Sequence, residues 1–237
     1  MPDRIRSTNL LLLPGMMCHA GLWQQQEREF AGEYRLHHGV ISKDDQVSGI
    51  AAAVLEEAPA SFALAGLSMG GIVAMEMWRQ APARIERMAL LDTNFRPDTA
   101  QRKTMRNRQI NEVRQGKLGA LLKDELKPNY LAACHRRNTA LLDEVLEMGL
   151  TLGEDVFERQ SLALRDRPDS SVTLAEISCP TLVLCGDEDS LCSPELHREM
   201  ASMIPGATLE IIQNCGHLST MEQPQAVNNA LRAWLTI

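Results

Sequence analysis

Short, nearly unbroken apolar runs recur along the chain at residues 10–13, 34–40, 62–67, 88–91, 181–185 and 208–212, each closed by a turn signal. Runs without polar alternation are what strands buried on both faces look like. Between several of them lie stretches with apolar residues at helical spacing. In 48–57 Ile50, Ala53 and Val54 share a face, and in 71–80 Ile72, Val73, Met75, Met77 and Trp78 pack the pattern more densely. Residues 194–203 and 225–235 complete a set of four predicted helices. Strand runs alternating with such helices predict βαβ units, that is, a mostly parallel sheet of six strands with all four helices packed on it. The alternation stops between Arg96 and Asp169, where helical patterns follow one another without a strand run and are broken at Gly116, Pro128 and Pro168. One α/β domain is therefore expected, with a core formed by residues 1–95 and 171–237 and a helical cap, 96–170, inserted over one end of the sheet. The chain has no internal repeat and no low-complexity tract.

Composition changes this picture little. With 237 residues, 44% hydrophobic and 23% charged, the chain has the make-up of a globular protein rather than a fibrous, disordered or membrane one. Residues 3–9 are polar apart from Ile5 and precede an apolar run too short to span a bilayer or to serve as a secretory leader, so a cytoplasmic location is expected. Six cysteines without a C-x-x-C pair, in a chain large enough to need no staples, point to reduced thiols. A zinc site from Cys192, Cys215 and His217 is disfavoured by its spacing, and neither metal nor cofactor is expected. The net charge of −7, with only two tyrosines, argues against a nucleic-acid partner. That charge is unevenly spread. Residues 96–137 hold eleven basic and four acidic side chains, net +7, which leaves −14 for the rest.

The chemistry concentrates where apolar runs end. Gly66-Leu67-Ser68-Met69-Gly70 follows the run at 62–67 and precedes a helical pattern. A serine on a sharp strand-to-helix turn has its hydroxyl exposed and its backbone strained, and the turn needs glycine on both sides to avoid clashes. The following helix points its amino end at the site, which favours developing negative charge there. A serine hydroxyl also needs a base, and the base needs a group to orient it. His217 sits in Gln213-Asn214-Cys215-Gly216-His217, a loop after the run at 208–212; it alone of the six histidines follows a strand run in this way. His37, His38, His135 and His197 read as strand or helix-surface residues. For the acid, the run at 181–185 ends in Gly186-Asp187-Glu188-Asp189. Asp189 is preferred, since it can turn back toward the histidine. Asp187 reads as a turn residue bonding local amides, and Asp92 is a further alternative.

With these residues in order, the chain resembles the α/β-hydrolase superfamily, of the small capped esterase and lactonase type. GLSMGG, CPTLVLCGDEDSLCSP and CGHLSTMEQP are similar to that family's elbow, acid loop and histidine loop, and the order Ser68, Asp189, His217 is the family's. The resemblance implies an oxyanion hole of two backbone amides, here Met16 and Met69, although Leu13-Pro14-Gly15-Met16 replaces the common His-Gly pair. Met17 and His19, close to that turn, are candidate substrate contacts. The implied activity is cleavage of a small carboxylic ester or lactone through an acyl-enzyme. Non-hydrolytic members, such as lyases and perhydrolases, and a ligand sensor with a slow or silent triad share the same motifs. The basic segment reads either as a solvated surface or as a means of drawing in an anionic substrate, a dicarboxylic lactone, half-ester or carrier-borne acyl group. Superfamily members are often monomers or homodimers.

Overall fold

A computed structural model describes residues 8–236, so the polar lead at residues 3–7 lies outside the described residues. Six strands form one sheet in the order β2-β1-β3-β4-β5-β6: β1 (Asn9–Leu13), β2 (Arg35–His38), β3 (Phe62–Leu67), β4 (Ile85–Leu91), β5 (Thr181–Gly186) and β6 (Thr208–Ile212). Every neighbouring pair is parallel. Two strands differ from their apolar runs by more than one residue at an end. β4 starts three residues earlier than predicted, because Glu86 and Arg87 at its half-exposed base break the apolar pattern without breaking the pairing. β2 is shorter than its run because it is an edge strand that bonds only β1.

Helices cover both faces, which explains the absence of polar alternation in the strands. On one face α2 (Val47–Glu57), α3 (Met69–Gln80), α8 (Ser171–Glu176) and α9 (Pro194–Met203) enclose Leu11, Leu13, Leu64, Leu90 and Val183. On the other α1 (Gln24–Phe30) and α11 (Pro224–Thr236) bury Trp23, Phe30, Leu231 and Trp234 against Leu10, Leu12, Leu182 and Leu184. Each such side chain, fully buried, contributes roughly 1.5–3 kcal/mol of transfer free energy. Met69, Met75, Met77 and Met88 all belong to the first face, as gap-filling core residues. α1 went unpredicted because its sequence, QQQEREF, offers almost no apolar stripe.

Between β4 and β5 the chain is helical apart from its connections. α4 (Ala100–Val113) is followed by α5 (Leu118–Ala120), a π-helical turn (Leu121–Leu126) and a 3-10 turn (Lys127–Asn129), then by α6 (Thr139–Leu152) and α7 (Glu154–Asp166). Val113, Leu118, Leu121, Leu122, Val156 and Phe157 form a small apolar cluster of their own, joined by Met17 from the loop after β1. One more short helix, α10 (Ser219–Glu222), precedes α11. Among the described residues no helix is long and apolar enough to cross a membrane.

Candidate active site

The turn from β3 into α3 holds Ser68 at φ 55°, ψ −114°, a conformation that L residues rarely adopt. Its surroundings over-determine the strain. The Ser68 amide donates to Leu91 O at 2.9 Å, and its carbonyl accepts from the amides of Gly71 and Ile72 and from Thr93 Oγ1 at 2.6 Å. The glycines are required by close approach: a Cβ on Gly66 would lie 2.3 Å from Gly70 O, and one on Gly70 would lie 2.4 Å from Leu13 O.

His217 reaches the same point from the loop after β6. Its Nε2 lies 2.9 Å from Ser68 Oγ and its Nδ1 lies 2.8 Å from Asp189 Oδ2. The other Asp189 oxygen accepts from the amides of Leu191 and Cys192, at 2.8 and 2.9 Å, which fixes the carboxylate in the loop after β5. A carboxylate only accepts, so the facing Nδ1 carries the proton and Nε2 is free to take one from Ser68. Both partners are buried, His217 at 5% and Asp189 at 3% exposure. Burial by itself lowers the His217 pKa. The negative field of Asp189, with smaller contributions from Asp92 and Glu222, outweighs it and holds the imidazole above its ordinary range.

The structure thus brings Ser68, His217 and Asp189 together and puts the two alternative acids elsewhere. Asp187 Oδ1 accepts from the Cys215 amide at 3.1 Å, tying the acid loop to the histidine loop rather than closing a local turn. Asp92, fully buried at φ 46°, accepts from the Gly186 amide at 3.0 Å and from Ser219 Oγ at 2.5 Å. Burial, reinforced by Asp189, pushes its carboxyl well up.

Met16 and Met69, whose amides are expected to bind an oxyanion, both line the cavity with Ser68. Met69 opens α3, so its amide has no acceptor within the helix. Met16 lies in the turn closed by the bond from the Cys18 amide to Gly15 O, and a Cβ on the adjoining Gly15 would stand 3.5 Å from Ser68 Cβ. The structure does not place Met17 and His19 on the cavity. Met17, at φ 54°, is turned into the apolar cluster of the helices between β4 and β5, and its amide donates to Gln160 Oε1 at 2.8 Å. His19 is exposed and caps the 3-10 turn Ala20–Trp23 by accepting from the Gly21 amide.

Several supporting residues escaped the sequence reading. Glu222, buried, accepts from the amides of Gly216 and Leu218 on either side of His217 and from the Ala132 amide, while its carboxylate lies 3.1 Å from His135 Nδ1. His197 is not a surface residue. It is fully buried, accepts the Thr93 amide on Nε2 and faces Ser193 O with Nδ1. Burial lowers its pKa, in keeping with a neutral ring that links the end of β4 to α9. Gln160 of α7, buried, spans from the Met17 amide to Ile41 O and so braces the turn beside Ser68. Glu222 had one visible signal, its place in the motif around His217.

The donor atoms of Cys192, Asp189 and His217 lie within 4.8 Å of one another, a different trio from Cys192, Cys215 and His217. Two of its members are already bonded to each other, and burial pushes the Cys192 thiol well up, which disfavours the thiolate a metal would need.

Ser68 and His217 open onto a cavity of about 610 Å³. Gly15, Met16, Leu67 and Met69 line it on the sheet side; Arg102, Met105, Arg106 and Gln109 of α4, with Tyr130 and Arg167, line it from the segment between β4 and β5.

A family model described as the alpha/beta hydrolase family matches residues 10–230. The chain belongs to the α/β-hydrolase family. Its resemblance to the (E)-2-((N-methylformamido)methylene)succinate hydrolase of Acinetobacter baylyi is 26% identity over 246 residues, covering 95% of this chain and 89% of that protein. The pimeloyl-(acyl-carrier protein) methyl ester esterase of Nitrosospira multiformis is 25% identical over 246 residues, with coverages of 91% and 90%. Among solved α/β-hydrolase structures, a thermophilic esterase from Thermogutta terrifontis with malate bound superposes at a TM-score of 0.89, with 31% identity over 97% of this chain and 90% of that one.

Proposed function

We propose that the chain is a carboxylic-ester hydrolase that works through a covalent intermediate on Ser68. The observation that carries this reading is the continuous hydrogen-bonded line from Ser68 Oγ through His217 to Asp189, ending at the wall of a cavity large enough for a small ester. Named hydrolases and esterases among its full-length relatives support it.

In the proposed cycle, Ser68 Oγ attacks the ester carbonyl carbon while His217 Nε2 takes the hydroxyl proton. The carbonyl oxygen, now anionic, is held by the Met16 and Met69 amides, each contributing roughly 3 kcal/mol. Asp189 stabilises the imidazolium. On collapse the carbon–alkoxide bond breaks and His217 gives its proton to the departing alcohol. A water then loses a proton to His217 and adds to the acyl carbon, the bond to Ser68 breaks, and the proton returns to Ser68. In this reading residues 96–170 act as a cap that shapes the acyl and alcohol pockets above Ser68.

The test is turnover of a short-chain nitrophenyl ester by the wild type and by Ser68→Ala, paired with labelling by a fluorophosphonate. Turnover and labelling in the wild type, both lost in the variant, are expected. Labelling without turnover would make the chain a ligand sensor, and undiminished turnover by Ser68→Ala would remove Ser68 from the mechanism.

A further inference from the structure

The wall of the cavity opposite Ser68 carries an excess of positive charge that the hydrolytic cycle does not use. Arg102, Met105, Arg106 and Gln109 recur at helical spacing along α4 and all face the cavity. Arg106 and Arg167 share one buried carboxylate, Asp98, whose side chain is wholly enclosed; the Arg167 pair measures 2.9 Å. Arg167 also donates from Nε to Arg96 O and from Nη1 to Leu164 O, which fixes it in the wall. Two guanidiniums against one carboxylate leave a desolvated unit charge. Burial lowers the Arg167 pKa, Asp98 opposes that, and Arg106 adds to it, as expected for two cations crowded on one anion.

One turn away on the same face lies Arg102, half-buried and with no ion-pair or side-chain hydrogen-bond partner among the described residues. Among the described residues the one acidic side chain lining the cavity, Glu125, is already occupied, accepting from Arg108 at 2.5 Å and from Gln109 at 2.7 Å. An anion entering the cavity therefore meets uncompensated charge at Arg102, backed by the Arg106–Asp98–Arg167 arrangement. Arg106 Nη1 lies 3.9 Å from Met16 Sδ, and Ser68, Met16, Arg102 and Arg106 line one cavity.

We propose that Arg102, supported by Arg106 and Arg167, binds a free carboxylate a few bonds from the scissile carbonyl, so that the substrates are half-esters or lactones of short dicarboxylic acids. Arg102 is then a specificity-determining residue, and the inference rests on the ester-hydrolase reading only for its kinetic consequence. A charge-assisted bond of this kind is worth about 10- to 100-fold in affinity.

Calorimetric titration of malate into the wild type, Arg102→Gln, Arg102→Lys and Arg102→Glu tests the binding directly, because it needs no turnover. Saturable binding by the wild type is expected. It should weaken about 10- to 100-fold in Arg102→Gln, weaken further in Arg102→Glu, and be partly retained in Arg102→Lys, with thermal melting confirming that each variant is folded. The kinetic arm compares monomethyl succinate with dimethyl succinate. The wild type should favour the half-ester through KM, and in Arg102→Glu the ratio of the two kcat/KM values should fall by a similar factor. Cleavage of the diester without malate binding or half-ester preference overturns this inference and leaves the hydrolase reading standing. Malate binding that depends on Arg102, in a chain that cleaves neither ester and does not label at Ser68, sinks the hydrolase reading and leaves the carboxylate site.

Discussion

Two regions face each other across the Ser68 cavity and are held in different ways. On the sheet side Ser68, Asp189 and His217 stand within a few residues of the ends of β3, β5 and β6, and neighbouring strands hydrogen-bonded in register fix their spacing. On the other side α4 and α7 carry their functional candidates on helix faces, held by a small apolar cluster and by single long-range bonds such as Gln160 to Met17. Substitutions on the two sides should therefore act differently. A lesion on the sheet side removes a reacting or orienting group, whereas a lesion on the helical side alters what enters and how well one turn is braced.

The largest effect expected in breaking this comparison is at Asp189. Asp189→Asn keeps the shape of the loop but removes the acceptor that sets the His217 tautomer, and kcat should fall by about four orders of magnitude. Steady-state kinetics on a nitrophenyl ester measure this; a loss under tenfold would mean that another carboxylate orients the ring. Next in size is Gln160→Met, on the helical side. The Met17 amide loses its acceptor and the strained turn beside Ser68 loosens, so kcat should drop about 10-fold with KM little affected. A change confined to KM would place Gln160 with substrate binding instead.

The smallest effect is a displacement along the pH axis. His217 must be neutral to accept the Ser68 proton, and the surrounding carboxylates raise its pKa. In the wild type kcat/KM should therefore rise with pH through an inflection above the ordinary histidine value of about 6.5. The residual activity of Asp189→Asn should show that inflection at lower pH, since the main source of the upward shift is gone. An inflection that stays put in the variant would take Asp189 out of contact with the base.

The same contrast decides what the sequence discloses. The six strands and four of the sheet-packing helices follow from apolar runs and helical spacing, because a sheet covered on both faces leaves few polar interruptions. Ser68, Asp189 and His217 stand out because each follows such a run at a turn. β4 began earlier than its run since Glu86 and Arg87 pair as strand while half-exposed, and periodicity registers burial rather than pairing. Nearness in sequence to the Gly15–Cys18 turn suggests Met17 and His19 as cavity residues, but the Met17 side chain packs into the apolar cluster of the helices between β4 and β5, and His19 is spent on capping the 3-10 turn Ala20–Trp23. His197 and Gln160 act through bonds to amides 104 and 143 residues distant, which no local pattern encodes, whereas Glu222 adds a bond to an amide 90 residues away to local ones at Gly216 and Leu218. The basic stretch was visible as net charge alone. Its consequence lies in the spacing of Arg102 and Arg106 on one face of α4, and a charge count does not register faces.

In the proposed mechanism an acyl group passes through Ser68. Mixing the protein with a nitrophenyl ester, quenching within the burst and measuring the masses of the peptides tests it most directly. One acyl adduct per chain, on the peptide containing Ser68 and absent from Ser68→Ala, is the predicted result. Turnover with no adduct on that peptide at any quench time, or an adduct that persists there in the Ser68→Ala chain, would contradict it.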